Sequence, residues 1–256
     1  MSELFSIAGK TALVTGGSRG IGEMIVRGFA DAGAKVYLSS RKADACESLA
    51  EELRAEGKDV TALPADLSTE SGCAGLGGEL ERRESKLHIL LNNAGAVSGA
   101  PIEALDETAW DRVLSINVKG VFFTTRFLLP LLEAASSPED PARVINIGSI
   151  DGLRVPMMET YSYSTSKAGL HMLTRHLASR LAPSITVNAI APGPFPSKMM
   201  RSTLEAFGDQ IAASAPMKRI GRSSDMAGAA IYLASPAASY VTGAILPVDG
   251  GIATCS

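Results

Sequence analysis

Tyr163 and Lys167 stand four residues apart, the spacing that puts two side chains on one face of a helix. A phenol and an ammonium so placed can move a proton, because a nearby positive charge favours phenolate and draws a tyrosine from its ordinary value near 10 toward neutrality. Such a pair suits hydride transfer to a carbonyl, which leaves negative charge on oxygen and needs a proton donor and fixed dipoles aimed there. Tyr161 competes for the role, but Thr165 rather than a lysine lies four residues beyond it. Ser149, in Ile147-Gly148-Ser149-Ile150-Asp151-Gly152, offers a hydroxyl to orient the carbonyl. Asn117, between Ile116 and Val118, carries an amide that must find partners if it is buried. Plainer readings stand beside these: side chains flanking a helical seam of Leu170, Leu173, Leu177 and Leu181, a loop serine, and a satisfied core asparagine.

The hydride has a candidate source in Gly16, Gly17, Ser18, Arg19, Gly20, Ile21 and Gly22. This run follows an apolar stretch and opens a helical pattern at Ile21. Glycines let the backbone turn tightly and approach a pyrophosphate, and the amides and positive dipole of a helix start favour the anion. An NAD reader would carry an acid about 20 residues on, at the end of the second strand. Ser40 holds that position, Arg41 follows, and Asp44 is close enough to be a decoy for the missing acid. Arg19 and Arg41 can flank a 2′-phosphate that a carboxylate would repel, so NADP(H) is the expected cofactor.

These residues need a scaffold, and the chain alternates short apolar runs with longer helical patterns. Strands are expected at Thr11–Thr15, Lys35–Leu38, Val60–Pro64, His88–Leu91, Arg143–Ile147, Thr186–Ile190 and Ala244–Val248. The pattern is that of an α/β, doubly wound Rossmann domain with a seven-stranded parallel sheet flanked by helices, in one domain spanning 1–256. Long helices are expected over Ala104–Ala135 and Tyr161–Leu181. Ser136–Pro141 reads as a polar turn. Pro192–Met217, rich in Pro, Ser and Met and weakly periodic, is placed after the sixth strand to serve as a substrate lid.

Composition narrows the function. A net charge of −3 provides no basic footprint, so nucleic acid is not an expected partner. No stretch of about 18 apolar residues points to a membrane span. Cys46, Cys73 and Cys255 are odd in number and far apart, which fits a cytoplasmic protein without disulfides or structural zinc. His88, His171 and His176 lack metal-ligand spacing, no metal is expected, and the last two read as helix-surface or interface residues.

Taken together the motifs resemble the short-chain dehydrogenase/reductase family, in its 3-oxoacyl-reductase-like branch, over essentially the whole chain. They are the glycine run, Asp66-Leu67, Asn92-Asn93-Ala94-Gly95, Asn117, Ser149, Tyr163-x-x-x-Lys167, Pro192-Gly193 and Asp249-Gly250-Gly251. The resemblance implies that Asp66 and Leu67 meet an adenine, that Asn93, Ala94 and Gly95 lead toward the nicotinamide ribose, and that Tyr163 and Lys167 also touch the cofactor. The stretch Pro192, Gly193, Pro194, Phe195, Pro196 and Ser197 matches a family pattern that ends in Thr; Ser197 keeps the hydroxyl. Asn117 would hold a water linking Lys167 to solvent. Asp66 also reads as a cap for a helix near Ser68, and Asn92 and Asn93 as turn stabilisers. Ser149 to Tyr163 is one residue longer than in many relatives, which points to a reshaped loop around Arg154–Glu159.

The implied activity is NADPH-dependent reduction of a ketone, a 3-oxoacyl thioester or related β-keto compound, whose acyl group is free or carried on acyl carrier protein or coenzyme A. A homotetramer is the implied assembly. Two other readings remain: a dehydrogenase of sugars, polyols or steroids, and a non-catalytic dinucleotide-binding regulator, which would be expected to lose the Tyr/Lys pair.

Overall fold

The computed structural model describes residues 3–197 and 200–255. Seven parallel strands form one sheet: β1 Thr11–Thr15, β2 Lys35–Ser39, β3 Val60–Ala62, β4 Ile89–Asn92, β5 Ala142–Ile147, β6 Ile185–Pro192 and β7 Ile245–Val248, in the order β3-β2-β1-β4-β5-β6-β7. The expected strands are all present, with ends moved by a few residues. The order reverses between β1 and β4, the crevice where open α/β sheets place ligands.

Alternation along the strands divides the core. Ala12, Val14, Val36, Leu38, Ile89 and Leu91 face one side and pack on α1 (Gly20–Asp31), α2 (Ala43–Ala55) and α8 (Ser223–Ala234). Leu13, Tyr37, Leu90, Val144 and Val187 face the other side, with α3 (Glu70–Glu81) and α5 (Gly120–Ala135) against them. Both faces are covered, which is why these strands read as continuous apolar runs.

The long helix expected from Ala104 begins later. Asp106 caps α4 (Glu107–Leu114) by accepting from the Ala109 amide at 2.8 Å. α4 continues into α5 through a π turn, Ser115–Lys119, closed by Gly120 N–H on the Ser115 carbonyl. That turn buries Ile116 and Asn117 together. α6 (Tyr161–Leu181) forms where expected. The 192–217 excursion is less irregular than its composition indicates: it contains α7 (Arg201–Ser214), kinked at Phe207, while Lys198 and Met199 lie outside the described residues. No helix among the described residues is long and apolar enough to cross a membrane.

Candidate active site

The glycine run links β1 to α1. Gly16 and Gly20 adopt positive φ, +65° and +57°, which a side chain disfavours. A Cβ at Gly22 would collide with the Gly16 carbonyl, so this glycine lets helix and loop close together. Arg19 is the N-cap of α1 but supplies no side-chain cap, leaving the first-turn amides directed out of the helix start.

Across the switch point, Thr15 Oγ1 accepts from the Asn93 and Ala94 amides at 3.0 and 3.1 Å, and Asn93 Nδ2 donates to the Thr15 and Gly16 carbonyls. The Asn93 side chain is therefore a brace for the glycine loop. Asn92 joins a buried string, donating to Thr125 Oγ1 and Asn146 Oδ1, while Asn146 donates to Thr174 Oγ1. The string ties β4 and β5 to α5 and α6 on one face of the sheet.

At the end of β2, Ser18 Oγ donates to Ser40 Oγ at 2.9 Å and Ser40 also meets Cys46 Sγ. Arg19 and Arg41 are exposed, and neither forms an ion pair among the described residues. Asp66 sits near Arg41 without capping α3: its Oδ1 accepts from Ser68 N and Oγ, which hold its carboxyl below the usual range, and Thr69 is the cap. Leu67 and Phe195 turn their side chains into the core. Gly193 donates to the Val248 carbonyl and packs on Asp249, whose carboxylate accepts from Gly251 and Ala253 amides. Ser197 returns toward Gly20, where a Cβ would lie 3.2 Å from it.

Ser149 leaves β5 and begins the short turn Ile150–Gly152, its Oγ accepting from the Asp151 amide at 3.1 Å. That turn packs on α6, which carries Tyr163 and Lys167. Lys167 is buried and its Nζ donates to the Ile147 carbonyl at 2.7 Å, lying 5.5 Å from the centroid of the Tyr163 ring. Burial pulls Lys167 down to about 8, against the attraction of Asp151. Burial pushes Tyr163 up to about 12, with Asp151 adding to the rise and a hydrogen bond to Ser149 opposing it. The depression of the phenol expected from the spacing is thus corrected. Desolvation is the largest cause of that rise, and it favours the neutral phenol, the form that donates a proton.

Asn117 is 1 % exposed and bonded through both ends of its amide: Oδ1 accepts from Ala96 N at 2.8 Å, and Nδ2 donates to Ala96 O and Ser166 Oγ, both at 2.9 Å. Its amide joins the Gly95 loop to α6. His171 corrects another expectation. Its imidazole is buried rather than on the surface, its nitrogens make no well-formed hydrogen bond among the described residues, and burial pushes it down to about 4. Glycines at 148 and 152 make room for that ring. Reading of the sequence missed Asp151, Ser166 and His171 as site neighbours; only the acid two residues after Ser149 left a signal.

A phosphate-ready helix start at a switch point, with a neutral phenol, a serine and a buried lysine across the crevice, defines a Rossmann-fold oxidoreductase. Residues 16–253 match a family model, adh_short_C2, described as enoyl-(acyl carrier protein) reductase. The chain belongs to the short-chain dehydrogenase/reductase family. It is 48% identical over 258 residues to the rhamnolipids biosynthesis 3-oxoacyl-[acyl-carrier-protein] reductase of Pseudomonas aeruginosa, covering 98% of this chain and 99% of that protein. A galactitol 2-dehydrogenase (L-tagatose-forming) of Cereibacter sphaeroides is 38% identical, with 97% and 96% covered. Among solved structures, the Pseudomonas aeruginosa RhlG/NADP active-site complex superposes with a TM-score of 0.95 at 47% identity, covering 99% of this chain and all of that one.

Proposed function

We propose that the protein reduces a 3-oxoacyl thioester, or a related β-keto compound, to the secondary alcohol with NADPH. The observation that carries this reading is the placement of Tyr163 beside Ser149, with the buried Lys167 ammonium 5.5 Å from the centroid of the Tyr163 ring. Bound NADPH supplies the hydride. The uncapped start of α1 and the positive-φ glycines fit its pyrophosphate, and Ser18, Ser40, Arg19 and Arg41 fit a 2′-phosphate, with no carboxylate at the end of β2 to oppose it. Asp66, Leu67, Asn93, Ala94, Gly95, Pro192, Gly193, Phe195 and Ser197 would border the rest of the cofactor. Ser149 would orient the carbonyl, and Tyr163 would release its proton to the developing alkoxide. Lys167 would steady the cofactor ribose and the charge left behind. The Asn117 side chain holds the Ala96 loop and α6 in register, and Asn117 would also hold the water that links Lys167 to solvent.

The 192–217 excursion is proposed as the lid. Ala215 packs with Ile150 and Ile252, and Met217 N–H bonds the Gly250 carbonyl, so its far end is anchored next to the Ser149 turn. The 3-oxoacyl-[acyl-carrier-protein] reductase relative favours an acyl substrate, on acyl carrier protein or coenzyme A. A sugar or polyol is the second reading, favoured by the galactitol dehydrogenase relative. A homotetramer joined through α5 and α6 is supported by exposed Phe122 and Met172, and a cytoplasmic setting by the unpaired cysteines. Side-by-side turnover of a 3-oxoacyl thioester, a ketose and an oxosteroid with NADPH tests the reading. The thioester is expected to lead in kcat/KM, and comparable rates on all three would remove the acyl assignment.

A further inference from the structure

One carboxylate in the site has no task in the scheme above. Asp151 follows Ser149 by two residues, and its amide is bonded to the Ser149 hydroxyl. The turn that carries it is pressed on α6: a Cβ at Gly152 would lie 2.7 Å from the Lys167 carbonyl carbon. The side chain is partly buried, and its carboxylate has no hydrogen-bond or ion-pair partner among the described residues.

We propose that Asp151 is a specificity determinant that makes the site accept ketones whose neighbouring acyl group is uncharged, an ester or thioester, and reject the corresponding free acids. The inference rests on the functional reading above. The charged and titratable groups around Asp151 are Lys167 and Tyr163 from α6 and Arg154 from the following loop, with His171, kept neutral by burial, one turn further along α6. Without Asp151 the two cations would give the crevice a positive field and welcome a carboxylate next to the reacting ketone. Arg154 is exposed and screened by solvent, whereas the Asp151 charge is half-sheltered and acts at closer to full strength. Asp151 therefore offsets Lys167 where substrate would sit and repels a second anion. A 3-oxoacyl thioester has no charge there, but a free 3-oxo acid does.

The test uses 3-oxobutanoate and its ethyl ester, which share one reacting ketone. With NADPH and the whole enzyme, the wild type is expected to favour the ester in kcat/KM. Asp151→Asn should narrow that preference at least tenfold, about 1.4 kcal/mol, and Asp151→Glu should preserve it. The ratio of the two substrates is the readout, so a general loss from disturbed packing cancels. An unchanged ratio in Asp151→Asn overturns the proposal. If the wild type reduces neither compound, the functional reading fails separately, and calorimetric binding of acid and ester to the enzyme–NADPH complex still decides the charge selection: equal relative affinities in wild type and Asp151→Asn refute it.

Discussion

Replacing Asn117 by alanine should unfasten the active-site loop from α6. Three hydrogen bonds disappear, two to Ala96 and one to Ser166. At a net value of about 1 kcal/mol each the loss would be about 3 kcal/mol. Ser166 keeps a partner, because its hydroxyl also donates to the Tyr163 carbonyl at 2.6 Å, and Ala96 is partly exposed, so water replaces part of what is lost. The expected destabilisation is therefore about 2 kcal/mol, a fall in melting temperature of roughly 4–8 °C for a chain of this length. Urea unfolding followed by circular dichroism, at one fixed protein concentration because association shifts the midpoint, measures it. Asn117→Asp keeps an acceptor but loses the donor and sets an oxygen against the Ala96 carbonyl, so it should be at least as damaging. A loss below about 0.5 kcal/mol in both variants would refute the view that this amide holds loop and helix together.

Two further outcomes follow from the charges. The Arg19→Ala/Arg41→Ala double variant should weaken NADPH binding roughly 10- to 100-fold, from the loss of charge-assisted hydrogen bonds, and leave NADH nearly unaffected; equal weakening of both cofactors in fluorescence titrations would contradict it. For Lys167, burial lowers the native value from 10.5 to about 8, so between these limits the unfolded chain binds more protons and stability rises with pH. Relative to Lys167→Met, the wild type should gain on the order of 2 kcal/mol between about pH 7 and pH 10. Tyr163, raised to about 12, is present in both proteins and opposes this only above pH 10. Parallel stability curves for the two proteins would show that Lys167 keeps its charge at no cost.

The fold was legible because fully buried parallel strands leave uninterrupted apolar runs, and the glycines and the Tyr/Lys pair carry strict spacings. Alternation assigns Leu13 to one face and Val14 to the other with no structure in hand. Other features depend on contacts distant in sequence. The brace from Asn93 to Thr15 joins residues 78 apart, and only the fold brings them together. His171 reads as a surface residue because nothing local reports that the glycines at 148 and 152 clear a space for its ring. The direction of the Tyr163 shift was misread for a related reason: spacing reveals the neighbouring charge, while desolvation is a property of the packed site. α7 hid within a segment of weak periodicity and scattered proline, where composition argues for a loop.

Tyr163→Phe tests the central claim most directly, since it removes one hydroxyl and keeps the ring. NADPH should still bind, read by the fluorescence of the reduced cofactor, while reduction of a 3-oxoacyl thioester falls by at least about 100-fold, the lower end of what a positioned acid contributes. Turnover within a few-fold of the wild type would contradict the assignment of Tyr163 as the proton donor.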